Sequence, residues 1–160
     1  MSEVVLVNRA SPPWPDNDNI DSLVKAAVGA TLQAENRYLG QIEIGVMLTG
    51  DIEIQNYNHL YRGVDRATNV LAFALMDGEE DPFAGAGPIP FGDLILAYET
   101  IVREAKEQGK PFLDHVTHLV VHGTLHLLGY DHERSSEEAL HQEEREIAVL
   151  ATLNLPNPYG

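Results

Sequence analysis

Three histidines define the chemistry available to this chain. In the segment His122-Gly123-Thr124-Leu125-His126-Leu127-Leu128-Gly129-Tyr130-Asp131-His132, two histidines stand four residues apart. That spacing puts His122 and His126 on one helix face, close enough to grip a single ion. Gly129 follows, a residue that accepts the left-handed conformation ending many helices. The chain then turns back, and His132 supplies a third nitrogen from outside the helix. Three imidazoles leave a coordination position for water, as catalytic rather than structural zinc sites do. Zinc lowers the pKa of such a water to around 7, which makes hydroxide available at neutral pH. The segment therefore predicts a metallohydrolase holding one Zn2+ on His122, His126 and His132. Nickel or another imidazole-friendly ion would satisfy the same ligands.

The helix carries two further histidines. At roughly 100° per residue, His115, His118, His122 and His126 share a stripe about 80° wide. His118 with His122 is thus an alternative ligand pair on geometry alone. The downstream trio is preferred because it includes the helix-ending glycine. His115 and His118 are then expected behind the ligands, facing substrate, or simply exposed. The trio has the H-x-x-x-H-x-x-G-x-x-H spacing of metzincin proteases, which place a glutamate general base directly after the first histidine. Gly123 occupies that position here, which argues against peptide hydrolysis by that route.

A second polar cluster, from Tyr61 and Arg62 through Asp65, Arg66, Thr68 and Asn69, precedes an apolar run ending at Phe73. Arg62 offers a planar fork suited to phosphate, and Arg66 adds a second positive charge. A surface ion pair between Arg62 and Asp65 explains the spacing equally well. Both arginines are candidate substrate-binding residues, and Arg62 is also a candidate catalytic one.

Together the two segments resemble the YbeY family of bacterial endoribonucleases in rRNA maturation. The resemblance runs from the polar stretch near Asn56 to the C-terminal Leu155-Pro156-Asn157-Pro158-Tyr159-Gly160. The family pattern H-G-x-L-H-L-x-G-Y-D-H is matched in full from His122 to His132. Its middle pattern, N-x-x-Y-R-x-x-D-x-x-T-D-V-L-S-F, is matched in part, and Phe91-Gly92-Asp93-Leu94-Ile95 looks like its G-D-[IL] strand. The resemblance implies a three-histidine zinc site and a role for Arg62 at the substrate phosphate or in catalysis. It also implies single-strand-specific cleavage of RNA, at small-subunit rRNA ends and on defective ribosomes. The partners implied are rRNA, the small ribosomal subunit and its assembly proteins. Three positions depart from the pattern: Asn69 replaces aspartate, Ala72 serine, and Ala74 a frequent proline.

The elements that must position these residues follow from periodicity. Glu3 to Asn8 is β-branched and predicts a strand. Ser11 to Pro15 reads as a loop. Ile20, Leu23, Val24, Ala27 and Val28 make one apolar stripe of a helix from about Asp18 to Asn36. Gln41 to Leu48 alternates as a half-buried strand does. Asp51 is expected to cap a short helix running to about Tyr61. Asn69–Leu75 and Phe91–Ala97 predict an antiparallel pair joined by a long Gly-, Pro- and acid-rich loop. Helices follow from Glu99 to Gln108, closed by Gly109, and from Phe112 to Gly129. A capping box of Ser135 and Glu138 starts the last helix, with Leu140, Ile147, Leu150 and Ala151 facing inward to about Thr152. The order β-α-β-α-β-β-α-α-α predicts an α+β fold: a single mixed sheet of about four strands with helices packed against it, carrying a metzincin-like motif helix.

The 160 residues suit one domain spanning 1–160, and 44% hydrophobic with 22% charged content is ordinary for a globular chain. No apolar run is long enough to span a membrane, and Met1 to Asn8 does not read as a secretory signal. Cysteine is absent, which removes thiolate ligands and disulfides and makes a cytoplasmic enzyme the simplest expectation. The net charge of −15 repels polyanions at long range, so an RNA substrate must meet a local basic patch. The leading expectation is metal-assisted phosphodiester hydrolysis, with Arg62 stabilising charge that develops on the phosphate. Asp93 and Asp131 are possible orienting groups, although caps or turns account for them more simply. The alternatives are a metallohydrolase of a peptide or small molecule, and a ribosome assembly factor with a structural zinc.

Overall fold

The computed structural model describes residues 3–9, 14, 18–35, 42–74, 89–130 and 134–160. Nine elements follow one another: β1 (Glu3–Arg9), α1 (Asp18–Glu35), β2 (Ile42–Thr49), α2 (Asp51–Arg62), β3 (Val70–Ala74), β4 (Ile89–Ala97), α3 (Tyr98–Gln108), α4 (Phe112–Leu127) and α5 (Ser136–Thr152). The four strands form one sheet in the order β1-β2-β4-β3. β1 and β4 run parallel to β2, whereas β3 pairs antiparallel with β4 and forms an edge. The predicted α+β class with a single mixed sheet is what the chain adopts.

Period-two alternation divides the sheet into two faces. Ile44, Val46 and Leu48 of β2, with Leu94 and Leu96 of β4, enter the main core together with Val24, Ala27 and Val28 of α1 and Val116, Val120 and Leu125 of α4. The other face carries Ile95, Ala97 and Leu71 beneath Ile54 of α2. The metal-motif helix α4 is therefore held against one face of the sheet, and α2, which ends at Arg62, lies on the opposite one. The edge strand β3 separates them. Trp14, inside the segment read as a loop, is 4% exposed and donates its Nε1–H to the Thr49 carbonyl at 2.6 Å.

Two local expectations need correction. Asp51 does not cap its own helix: the N-cap is Gly50, which makes no side-chain bond. Asp51 instead accepts from the backbone N–H and hydroxyl of Thr100 at 3.2 and 2.7 Å, while Glu99 accepts from the Asp51 N–H at 2.9 Å. The starts of α2 and α3 thus cap each other. On α5, Ser135 does cap the helix, accepting from Glu138 N–H at 3.1 Å. Its inward face, however, carries Gln142, Glu146, Val149 and Leu150, while Leu140 and Ala151 are exposed. Leu140 and Ala151 lie off this stripe, which mixes polar Gln142 and Glu146 with apolar Val149 and Leu150. Among the described residues, no helix is long and apolar enough to cross a membrane.

Candidate active site

The middle of α4 presents its histidines as a ladder. Ring centroids are 6.1 Å apart for His115 and His118, 6.5 Å for His118 and His122, and 5.8 Å for His122 and His126. The helix ends one residue after His126, at Leu127, and Gly129 takes φ +105°, the left-handed region that its sequence position required. Tyr130 just beyond it donates to Glu35 at the end of α1 at 2.5 Å, and Arg145 of α5 donates to the same carboxylate at 2.7 Å. This junction fixes the direction in which the chain leaves α4. His132 and Asp131 lie outside the described residues. Accordingly, no group of three candidate ligands closes among the described residues alone.

His122 and His126 line one cleft of about 220 Å3 together with Asn58, Arg62, Arg66, Thr68, Asn69 and Gly123. The two sequence segments therefore meet in space, on either side of β3. Arg62 reaches the cleft from the last turn of α2. Its Nη2 donates to the Ala72 carbonyl at 3.3 Å, and its guanidinium carbon sits 6.0 Å from the Phe73 ring centroid. Among the described residues Arg62 makes no ion pair with Asp65, whose carboxylate accepts from Gln55 at 3.0 Å. The loop carrying Arg66 leaves α2 at Gly63, at φ +69°, and the buried Asn58 amide donates to the Arg66 carbonyl at 3.0 Å. None of the described residues lining the cleft is acidic. In a chain of net charge −15, the described lining of this cleft thus holds two arginines beside the histidine pair and no carboxylate.

Behind the ladder stands a residue that the sequence did not single out. Glu146 of α5 is fully buried, with Oε2 at 2.8 Å from His122 Nδ1 and Oε1 at 2.6 Å from His118 Nε2. Tyr159 donates its hydroxyl to Oε1 at 2.5 Å. Burial alone would raise the Glu146 pKa, but the bonds from His118, His122 and Tyr159 prevail and hold it at about 2. The Tyr159 phenol is pushed up in turn by burial and by that carboxylate. His118 turns its Nε2 to Glu146, which decides against a His118–His122 ligand pair through that nitrogen. His115 is equally buried, bonding Glu104 at 2.8 Å, so neither upstream histidine is exposed. An inward stripe of Val149 and Leu150, extended back by three and four residues, was the available signal for Glu146.

Asn69 shows what one departure from the family pattern does. Its amide donates to Glu104 at 3.0 Å, while its side-chain oxygen accepts from Val70 N–H at 2.7 Å. Glu104 also faces His115. A carboxylate at 69 would oppose Glu104 where the amide now donates. Asp93 proves remote from the ladder. Its neighbour Leu94 faces α4, so Asp93 lies on the other side of the sheet, in a larger groove of about 440 Å3 with Gly45, Met47, Tyr57, Tyr61 and Phe73. None of the described residues lining that groove is a histidine or an arginine, and burial raises the Asp93 pKa there. It is not an orienting group for the ligands.

The donors fit an imidazole-preferring ion. Two rings one helical turn apart converge on a cleft, and His122 has its second nitrogen against a carboxylate, as metal-ligating histidines usually do. The sequence model of the family described as "Endoribonuclease YbeY" matches residues 8–154. An endoribonuclease YbeY of Magnetococcus marinus is 52% identical over 145 residues, covering 82% of this chain and 99% of that protein. One from Bradyrhizobium diazoefficiens is 40% identical over 160 residues, covering all of this chain and 85% of that protein. The solution structure of a Thermotoga maritima protein shares the fold, with a TM-score of 0.59 at 22% identity over 94% of this chain and 92% of that one. A family match over residues 8–154, with relatives 52% and 40% identical over most of the chain, means that this chain belongs to the endoribonuclease YbeY family.

Proposed function

We propose that this protein is a zinc-dependent endoribonuclease that hydrolyses phosphodiester bonds in single-stranded RNA. On this reading it matures small-subunit rRNA ends and acts on defective ribosomes in the cytoplasm. The observation that carries it is the shared cleft, where Arg62 and Arg66 stand with His122 and His126 and no described acid intervenes. His122, His126 and His132 would hold the ion, which when bound supplies Lewis-acid polarisation. Arg62 presents its fork to the non-bridging phosphate oxygens, and Ala72 and Phe73 restrict where that fork points. Arg66 adds charge at the mouth and attracts a backbone that the rest of the surface repels. A flexible single strand can bend into a 220 Å3 cleft more readily than a duplex can.

The test compares purified, metal-loaded wild type with Arg62→Ala and His126→Ala on single-stranded rRNA. Wild type should cleave. Arg62→Ala should lose roughly 100-fold or more in rate, as when one preorganised donor to a transition state is removed, while keeping its metal. His126→Ala should lose metal and cleavage together with its fold retained. Equal, background-level cleavage by wild type and Arg62→Ala would sink the nuclease reading. Loss of folding in His126→Ala, with rRNA processing intact in Arg62→Ala, would favour a structural ion in an assembly factor.

A further inference from the structure

We infer that Glu146, braced by Tyr159, is a positioning residue that fixes the tautomer and ring orientation of His122 for metal binding through Nε2. The inference rests on the metal reading given above. An ionised carboxylate only accepts hydrogen bonds. With Oε2 2.8 Å from Nδ1, the imidazole proton must therefore sit on Nδ1, which places the ring's lone pair on Nε2. The Gln142 amide nitrogen, 3.2 Å from the same Nδ1, cannot then donate to it; it donates to the His122 carbonyl at 3.3 Å.

Glu146 is itself held from several sides. Its Oε1 accepts from His118 Nε2 and the Tyr159 hydroxyl, so its plane is set by bonds from α4 and from the C-terminal segment. The carboxylate is fully buried, and water does not compete for these bonds. A carboxylate behind a ligating histidine both orients the ring and raises its basicity, and its loss costs roughly 10- to 100-fold in metal affinity. Such a residue accounts for a buried charge on the inward stripe of α5, where an apolar side chain would pack on α4 more cheaply.

The experiment measures zinc affinity by chelator competition, and the visible spectrum of the cobalt-substituted protein, for wild type, Glu146→Gln, Glu146→Leu and Tyr159→Phe. Nitrogen NMR of the metal-free proteins reports the His122 tautomer. Wild type should show the Nδ1–H form. Glu146→Leu should lose that form and bind zinc roughly 10- to 100-fold more weakly, with an altered cobalt spectrum. Glu146→Gln keeps the volume and an accepting oxygen, and should weaken binding by less, which guards against a folding defect in the leucine variant. Tyr159→Phe should fall between wild type and Glu146→Gln. Wild-type affinity and an unchanged tautomer in both Glu146 variants would overturn the inference and leave the metal reading standing. Failure of wild type to bind zinc or cobalt would overturn both.

Discussion

A Cβ on Gly123 would stand 2.8 Å from Cδ2 of Leu94, inside the contact distance that real side chains keep. The residue between the two motif histidines is therefore a packing requirement: it lets α4 lie directly on β4, with Val70 of β3 also within 3.5 Å. Leu94 is fully buried and has little room to yield. Gly123→Ala should gain up to about 1 kcal/mol of helix propensity and lose about 1–3 kcal/mol to overpacking, for a net destabilisation. Gly123→Glu, which recreates the protease pattern, should be far more destabilising and yield no peptidase. Denaturant midpoints decide the first point and a peptide-pool assay the second. A stable, proteolytic Gly123→Glu would refute both.

Asn69 supplies the next prediction. Its amide bonds a carboxylate that also faces His115, so Asn69→Asp replaces a donor with a like charge. Asn69→Ala should lose the bond to a charged acceptor, about 1.5–3 kcal/mol. Asn69→Asp should lose more at pH 7, because two carboxylates then share the site. Equilibrium unfolding of the three proteins gives the order directly. An aspartate variant as stable as wild type would mean that Glu104 turns away at little cost.

Much of this arrangement was legible in the chain, and the parts that were not share a cause. β2 and α1 announced themselves by local periodicity, because each buries one face in the main core, whereas β4, buried on both faces, was legible only as an apolar run. His122, His126 and Arg62 were legible because their spacing makes chemical sense within a few residues. Glu146 was not. A reader following apolarity along α5 selects Leu140 and Ala151, which are exposed, and passes over Gln142 and Glu146, which are buried. Their polar partners lie on α4, 20 to 28 residues away: His118 and His122 for Glu146, and the His122 carbonyl for Gln142. Asp51 misled for the same reason: its local context is that of a helix cap, and its partner lies 49 residues away. Long-range polar pairings leave no period to read.

His115 predicts a pH dependence. Burial lowers its pKa below the ordinary 6.5, and the bond to Glu104 only partly offsets this. The folded imidazole thus binds a proton less readily than the unfolded one. Its contribution to stability is present above about pH 6.5 and is lost as pH falls below that value. The stability of metal-free wild type relative to His115→Gln should accordingly shrink between pH 7.5 and 5.5. Denaturant midpoints at the two values measure the change. A gap that widens at the lower pH would show that the folded histidine gains a proton instead.

The crossed caps between α2 and α3 give the last prediction. Asp51 accepts from Thr100 N–H and hydroxyl, and Glu99 accepts from Asp51 N–H, so each helix start satisfies an orphan donor of the other. Neither Gly50 nor Ala97, the residues at the two N-caps, offers a side-chain acceptor of its own. Asp51→Ala and Glu99→Ala should each cost about 1 kcal/mol, the usual value of a lost cap. Because the two carboxylates act at one junction, the double variant should cost measurably less or more than the sum, with a coupling of at least about 0.5 kcal/mol. Strict additivity would mean two independent caps. The junction also sets where α2 lies on the sheet, and α2 carries Arg62. If the caps position that arginine, Asp51→Ala should lower RNA cleavage by more than its fall in folded fraction explains, with metal content unchanged.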